Sequence, residues 1–98
     1  MRRVQIAPSF DREAEEIGAF IEARFGEGAR RNFVDELEEI CTLIAFAPNI
    51  GKPRRGYNTE LAGLPFDQNW IFFEFDDDAV HFLHIVSTSR AHGEIWFE

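Results

Sequence analysis

The chain has 98 residues, which fits a single domain spanning 1–98. Hydrophobic residues form 45% of it and aromatic residues 14%, a composition that excludes intrinsic disorder. The net charge is -8, so the chain repels nucleic acid, whose phosphates are bound by Lys and Arg. It has no 18-residue apolar run and one cysteine, Cys41. We therefore expect neither a membrane helix nor a signal peptide, and a protein of the reducing cytoplasm.

Two amphipathic helices follow a short first strand. Residues 3–7 alternate as a strand would, Pro8 ends the run, and Ser9 is the predicted N-cap. Apolar residues then recur every three or four positions from Phe10 to Phe25, which predicts a helix that Gly26 and Gly28 break. A second helix has one apolar face and a carboxylate-rich opposite face, which is typical of a solvated surface. The residues of that apolar face are Phe33, Leu37, Ile40, Cys41 and Ile44.

The second half of the chain predicts strands. Residues 61–66 (LAGLPF) predict an edge strand, because proline cannot donate to a central ladder. Residues 69–75 (NWIFFEF) and 79–86 (AVHFLHIV) predict a hairpin around an acidic turn at 76–78. Both arms are apolar on both faces, as central strands are. Residues 90–98 predict a short C-terminal element.

The order of elements is therefore β-α-α-β-β-β plus the C-terminal element, which indicates an α+β domain. We expect a helical hairpin packed on one face of an antiparallel sheet.

Candidate functional residues are few. Arg90 and His92 follow the last predicted strand, where an arginine could stabilise a phosphate and a histidine could transfer a proton; His84 is a second acid–base candidate. His81 and His84 alternate differently along their strand, so we expect them on opposite faces. No spacing of ligands predicts a metal, and no phosphate-binding loop predicts a cofactor.

Local signals along nearly the whole chain resemble the RelE/ParE superfamily of bacterial toxin–antitoxin toxins. The matching stretches are residues 14–17 with 20–21, residues 25–26 with Ala29 and Phe33, residues 40 and 43–44 with 47–54, which contain the pattern P-x-x-G-x-P-R, and residues 70–73 with 80–86, closing at Arg90. The resemblance implies a RelE/ParE-like fold and a toxin neutralised by an antitoxin from the same operon. The P-x-x-G-x-P-R pattern and the lack of a basic surface resemble the ParE-like, plasmid-stabilisation members more closely.

What the resemblance implies about activity leaves three hypotheses open. ParE-like toxins poison DNA gyrase by protein contact, without a nuclease site. RelE-like toxins cut mRNA in the ribosomal A site, and residues 56–98, with eight acids and one arginine, suit such a target poorly. The third is a non-toxic, antitoxin-binding module, which the absence of an arginine from residues 62–66 allows. Of these hypotheses, ParE-like poisoning, which makes the chain a non-enzyme, is the one we expect.

The predicted contact residues lie in the basic loop 51–56 (GKPRRG) and at the aromatic C-terminus. They are Arg54, Arg55, Arg90, Trp96 and Phe97, because exposed aromatic and arginine side chains are typical interface anchors. The predicted partners are DNA gyrase and a cognate antitoxin, of ribbon-helix-helix or similar type, without direct sequence-specific nucleic-acid or membrane binding. Because the chain is acidic, we expect the toxin-binding segment of that antitoxin to carry several Lys or Arg residues.

Overall fold

The computed structural model describes residues 2–53 and 61–88. It contains two α-helices, a short 3-10 helix and five strands. In chain order these are β1 (Arg3–Ile6), α1 (Pro8–Phe25), α2 (Glu27–Phe46), the 3-10 helix (Pro48–Ile50), β2 (Lys52–Pro53), β3 (Leu61–Phe66), β4 (Asn69–Phe75) and β5 (Ala79–Ser87). The predicted order of helices and strands is confirmed, with β2 as an addition. The predicted C-terminal element lies outside the described residues.

Helix α1 begins two residues earlier than predicted. Pro8 occupies its first turn, where the missing N–H is no loss, and extended Ala7 is the N-cap residue. The prediction of Ser9 as the cap is wrong, because its hydroxyl instead donates to the carbonyl of Leu83 at 2.7 Å. This bond connects the start of the helix to the sheet.

A single residue separates the two helices. Gly26 has φ of 97°, a conformation that disfavours any side chain, and its N–H donates to the carbonyl of Glu22. The prediction that Gly28 also breaks the helix is wrong, because Gly28 lies in the first turn of α2. Across the junction, Arg30 donates to Glu15 and Glu22 of α1 at 2.6 Å each. The two helices therefore form the predicted hairpin.

The sheet has the order β1-β5-β4-β3-β2. Strands β2 to β5 pair antiparallel, whereas β1 pairs parallel with β5, so the sheet is mixed rather than wholly antiparallel. Parallel neighbours cannot be joined by a tight turn, and here the helical hairpin and strands β2 to β4 all lie between β1 and β5 in the chain. The α+β class is confirmed.

Strand β3 pairs with β4 along its whole length, but among the described strands only its first half has a neighbour on the other side. The two residues of β2 pair with Gly63 and Ala62, while Pro65 lies beyond them and pairs with Trp70 on β4. Proline is tolerated here because no second ladder among the described strands requires its N–H. The edge prediction therefore holds for the proline end of the strand.

The acidic turn is confirmed between β4 and β5. The Asp76 carboxylate accepts the N–H groups of Asp78 and Ala79, at 2.8 and 2.9 Å. These two bonds lower the pKa of Asp76, the Asp78 bond being the larger cause. The turn is therefore stabilised by the ionised carboxylate.

The core lies between the hairpin and one face of the sheet. Phe73, Val80 and Phe82 lose all solvent contact there. The other members of this buried cluster are Phe10, Phe33, Leu37, Ile44, Ala62, Ile71 and Ile85. Aromatic rings pack in tilted pairs through it, with the Phe73 and Phe82 centroids 6.0 Å apart.

A β-bulge changes the facing of the β5 histidines. Phe72 pairs with His84 but Phe73 pairs with Phe82, so β5 contains one extra residue at Leu83. The prediction that His81 and His84 face opposite sides is wrong. His81 lies between the core residues Val80 and Phe82, and His84 precedes the core residue Ile85. Both histidines therefore lie on the sheet face away from the core.

Candidate functional site

Most of the predicted site residues fall outside the described part of the chain. These are the catalytic candidates Arg90 and His92 and the contact candidates Arg54, Arg55, Trp96 and Phe97. Their roles stay predictions. The candidate sites among the described residues therefore lie around the helical hairpin.

His84, the remaining acid–base candidate, is held by Glu13 of α1. The imidazole Nδ1 lies 3.1 Å from a Glu13 oxygen, and the other Glu13 oxygen accepts the N–H of Ile85 at 3.0 Å. Because the carboxylate fixes the position of the imidazole, the pair has the arrangement of an oriented base. The same carboxylate also serves the backbone of β5.

That backbone role follows from the length of β1. Strand β1 ends at Ile6, so β5 has no ladder neighbour on this side beyond Phe82 among the described strands. The first turns of α1 take over its hydrogen bonds. Ala7 donates to the carbonyl of Phe82, Ser9 donates to that of Leu83, and Glu13 accepts from Ile85. The helix start thus completes the strand, which is a sufficient structural reason for Glu13.

Cys41 does not have the character of a reactive thiol. Burial, with a smaller contribution from the charge of Glu38, raises the pKa of Cys41 to about 12. The thiolate is the nucleophilic form, so this side chain is inert near neutral pH. Across residues 2–53 and 61–88, no group of three His, Cys, Asp or Glu side chains is placed to hold a metal ion.

Two grooves flank α1. The first, of about 560 Å³, lies between α1, α2 and β1. Val4 and Ile6 continue the core layer to the edge of the sheet, and both stay exposed. The rim of this groove is mixed in charge, because Arg30 lies among Asp11, Glu15 and Glu38.

The second groove, of about 610 Å³, lies on the other side of α1, and we call it the acid-rimmed groove. Its floor and walls are apolar, and four carboxylates surround them. The apolar residues are Ile17, Phe20, Ile21, Phe25, Ala29, Phe33, Ile85 and Val86, and the acids are Glu13, Glu16, Glu36 and Asp67. A third, smaller groove of about 410 Å³ adjoins it and shares Glu36 and Asp67.

Helical spacing and one tight turn build this groove. Its α1 residues recur at three- and four-residue intervals, as do those of α2, so each helix presents one stripe to it. Asp67 is placed by the two-residue turn between β3 and β4, where it has φ of 59°, a conformation that aspartate tolerates. Asn69, the first residue of β4, lines the groove and is only 8% exposed.

A family model for the ParE toxin of type II toxin–antitoxin systems, parDE, matches residues 4–92. The chain belongs to this family. No curated protein sequence matches the chain at a significant level. The family is the ParE side of the superfamily that the sequence resembles, so that prediction is confirmed.

Solved structures share the fold at low sequence identity. The chromosomal ParDE system of P. aeruginosa matches with a TM-score of 0.74 at 13% identity, covering 89% of this chain and 96% of that one. The E. coli DinJ–YafQ toxin–antitoxin complex matches with a TM-score of 0.65 at 10% identity, covering 94% and 98%. A structure of E. coli YafQ matches with a TM-score of 0.63 at 11% identity, covering 95% and 100%. At such identities these likenesses show the fold alone.

This ParE-family chain carries a candidate functional surface that the sequence predictions missed. The sequence drew attention to the basic loop and the aromatic tail, whereas the acid-rimmed groove combines residues from four separate elements. One available signal was the wide apolar stripe of α1, where Phe20 and Phe25 extend beyond the face that a sheet would cover. Neither described helix combines the length and apolarity that crossing a bilayer demands.

Proposed function

We propose that the chain is a ParE-like toxin that acts in the cytoplasm by protein contact with DNA gyrase and is neutralised by a cognate antitoxin. The observation that carries this proposal is the pairing of the family match over residues 4–92 with exposed apolar grooves on an acidic chain. Apolar grooves with charged rims suit protein partners, and a net charge of -8 opposes contact with a polyanion.

Expression of the chain alone tests toxicity and its target. A gyrase poison is expected to arrest growth with a DNA-damage response, and the purified protein is expected to block gyrase supercoiling. Co-expression with the protein from the reading frame immediately upstream should restore growth. Growth arrest without any effect on gyrase would contradict the proposed target.

The oriented His84–Glu13 pair favours a second candidate, a RelE-like ribosome-dependent mRNA endonuclease. In this mechanism His84 would accept the proton of a 2′-hydroxyl while Arg90 stabilises the phosphate. Codon-dependent cuts in the ribosomal A site that disappear in Arg90→Ala would establish it. Toxicity that survives Arg90→Ala would remove it.

If expression of the chain has no effect on growth but the chain binds the protein from the upstream reading frame tightly, it is the non-toxic, antitoxin-binding module. That result would disprove the toxin part of the proposal and leave the family unchanged. A strongly acidic charge is compatible with it, because binding an antitoxin requires neither gyrase nor the ribosome.

A further inference from the structure

The acid-rimmed groove has a charge of one sign. Its described lining contains the four carboxylates of Glu13, Glu16, Glu36 and Asp67, and none of those lining residues is Lys or Arg. The groove on the other side of α1 differs, because Arg30 offsets its acids there. A recess with low-dielectric walls and charges of one sign concentrates the field, so it favours a cationic partner over an anionic one.

The groove also exposes two aromatic rings. Phe20 is 57% exposed and Phe25 is 71% exposed, although both border the buried side chains of Phe33 and Ile85. A partner that covered them would extend the core rather than contact an isolated surface residue. Buried aromatic anchors at the centre of a patch carry much of the free energy of a protein interface.

Asn69 supplies an independent sign that this surface has a partner. The residue is 8% exposed and lines the groove, and among the described residues no hydrogen bond to the side-chain amide is found. Its backbone is used in the pairs with Phe66 and Ser87. A buried amide without a partner is destabilising, so a ligand backbone that reached it would relieve that cost.

We infer that the acid-rimmed groove binds an amphipathic, basic segment of the antitoxin. Apolar side chains of the segment fill the recess against Phe20 and Phe25, Lys or Arg side chains meet the carboxylates, and a main-chain group pairs with the Asn69 amide. The inference rests on the proposed function, since the partner is the antitoxin; the chemistry of the segment is argued from the groove.

Other occupants match the groove less well. A second copy of the chain also carries a charge of -8, so its approach is opposed by repulsion. Residues 89–98 of the same chain contain two glutamates and one arginine, so they would not balance the four carboxylates. A basic partner segment is the occupant whose charge complements the rim.

The test uses the full-length chain and two synthetic peptides of about 18 residues. Both carry leucine at positions i, i+3, i+4 and i+7 of each helical repeat; one has lysine at the polar positions and the other glutamate. Affinity is measured by fluorescence anisotropy at physiological ionic strength. The lysine peptide is expected to bind at least about tenfold more tightly than the glutamate peptide, a difference that falls as salt is raised. Equal binding, or binding of the glutamate peptide alone, overturns the inference.

Two matched pairs of variants separate the groove from general attraction to an acidic protein. Glu36 and Asp35 are exposed neighbours on α2, but only Glu36 lines the groove. Phe20 and Phe46 are similarly exposed, but only Phe20 lines it. We expect Glu36→Lys and Phe20→Ala each to weaken lysine-peptide binding about tenfold, and Asp35→Lys and Phe46→Ala to change it less than about threefold. Equal effects within both pairs overturn the inference.

Asn69→Leu tests the amide separately from the fold. Replacing an unpartnered buried amide by an apolar side chain of similar size is expected to leave the melting temperature of the free chain unchanged or higher, while peptide binding weakens about fivefold. A lower melting temperature with unchanged binding would show a partner within the chain itself, and so would overturn the role given to Asn69.

Neutralisation in cells distinguishes this inference from the proposed function. With the antitoxin from the neighbouring frame, growth should be rescued for Asp35→Lys but not for Glu36→Lys combined with Phe20→Ala. If the chain proves non-toxic, pull-down of that antitoxin by the same variants still reports on the groove, and only the proposed function fails. If rescue and binding are unchanged by these substitutions, or if the antitoxin segment is rich in acids, the inference is overturned while the proposed function stands.

Discussion

The phenylalanines of the sheet centre and those of the hairpin surface have opposite environments. Phe73 and Phe82 lose all contact with solvent between the sheet and the helices, whereas Phe20, Phe25 and Phe46 remain more than half exposed. The first group holds the domain together, because each buried ring removes a large apolar area from water. The second group contributes little to folding and is available to a partner. We therefore propose that the protein uses one residue type for stability in one region and for recognition in the other.

Phe73→Ala tests the stabilising side of this comparison most directly. The ring packs against Phe75 and Phe82, so its removal leaves a cavity in a region without solvent contact. We expect a loss of about 3–5 kcal/mol in the free energy of unfolding, measured by urea denaturation. Phe25→Ala is the control, expected to cost less than about 0.5 kcal/mol. Similar losses for the two would remove the distinction between the regions.

Glycine substitutions sharpen the comparison, because the same change should have opposite signs in the two regions. A Cβ at Gly63 would lie 2.9 Å from the Phe72 ring, so Gly63→Ala is expected to destabilise by about 1–3 kcal/mol. A Cβ at Gly28, in the first turn of α2, meets nothing within 4 Å. Gly28→Ala is expected to stabilise by about 0.5 kcal/mol. Thermal unfolding of both variants checks the signs.

Glu13 joins the two regions, since its helical carboxylate completes the edge of β5. Glu13→Ala leaves the Ile85 N–H without its acceptor, and we expect a loss of about 1–2 kcal/mol in unfolding free energy. Hydrogen exchange at the Ile85 amide should accelerate in this variant. Glu16→Ala, one turn away on the groove, is the control and should change stability by less than about 0.5 kcal/mol. An unchanged exchange rate would show that the edge does not depend on Glu13.

The smallest expected effect concerns the turn at Asp76. Hydrogen bonds from Asp78 and Ala79 lower the pKa of Asp76 below its unfolded value of about 3.9. The charge therefore stabilises the fold above that value, and the contribution is lost as pH falls through the lower folded pKa. We expect Asp76→Asn to melt at a slightly lower temperature than the parent at pH 7. The difference should disappear under strongly acidic conditions. Asp77→Asn, which removes one negative charge from the same turn, is the control.

Several elements of the fold were predictable because their signals are local. Apolar spacing along α1 and α2, the acidic turn and the dense apolar runs of β4 and β5 each depend on residues close in sequence. The family resemblance also followed from sequence, and the match over residues 4–92 confirms it. The helix ends were less predictable, because a serine or glycine near a helix end can also lie inside a helix, as Ser9 and Gly28 do. Ser9 bonds Leu83 rather than its own helix, a choice that no local pattern records.

What the sequence by itself determined is the α+β class, the hairpin, the paired strands and the acidic charge. Only the tertiary structure decided which surfaces these elements share. The bulge at Leu83 places His81 and His84 on one face. Strand β1 ends at Ile6 and does not extend beside β5 past Phe82, so Glu13 and Ser9 supply hydrogen bonds to β5 there. The acid-rimmed groove likewise joins residues from four elements distant in the chain. Periodicity arises within one segment, whereas a groove arises from the packing of several, and that packing is specified only when the whole chain has folded.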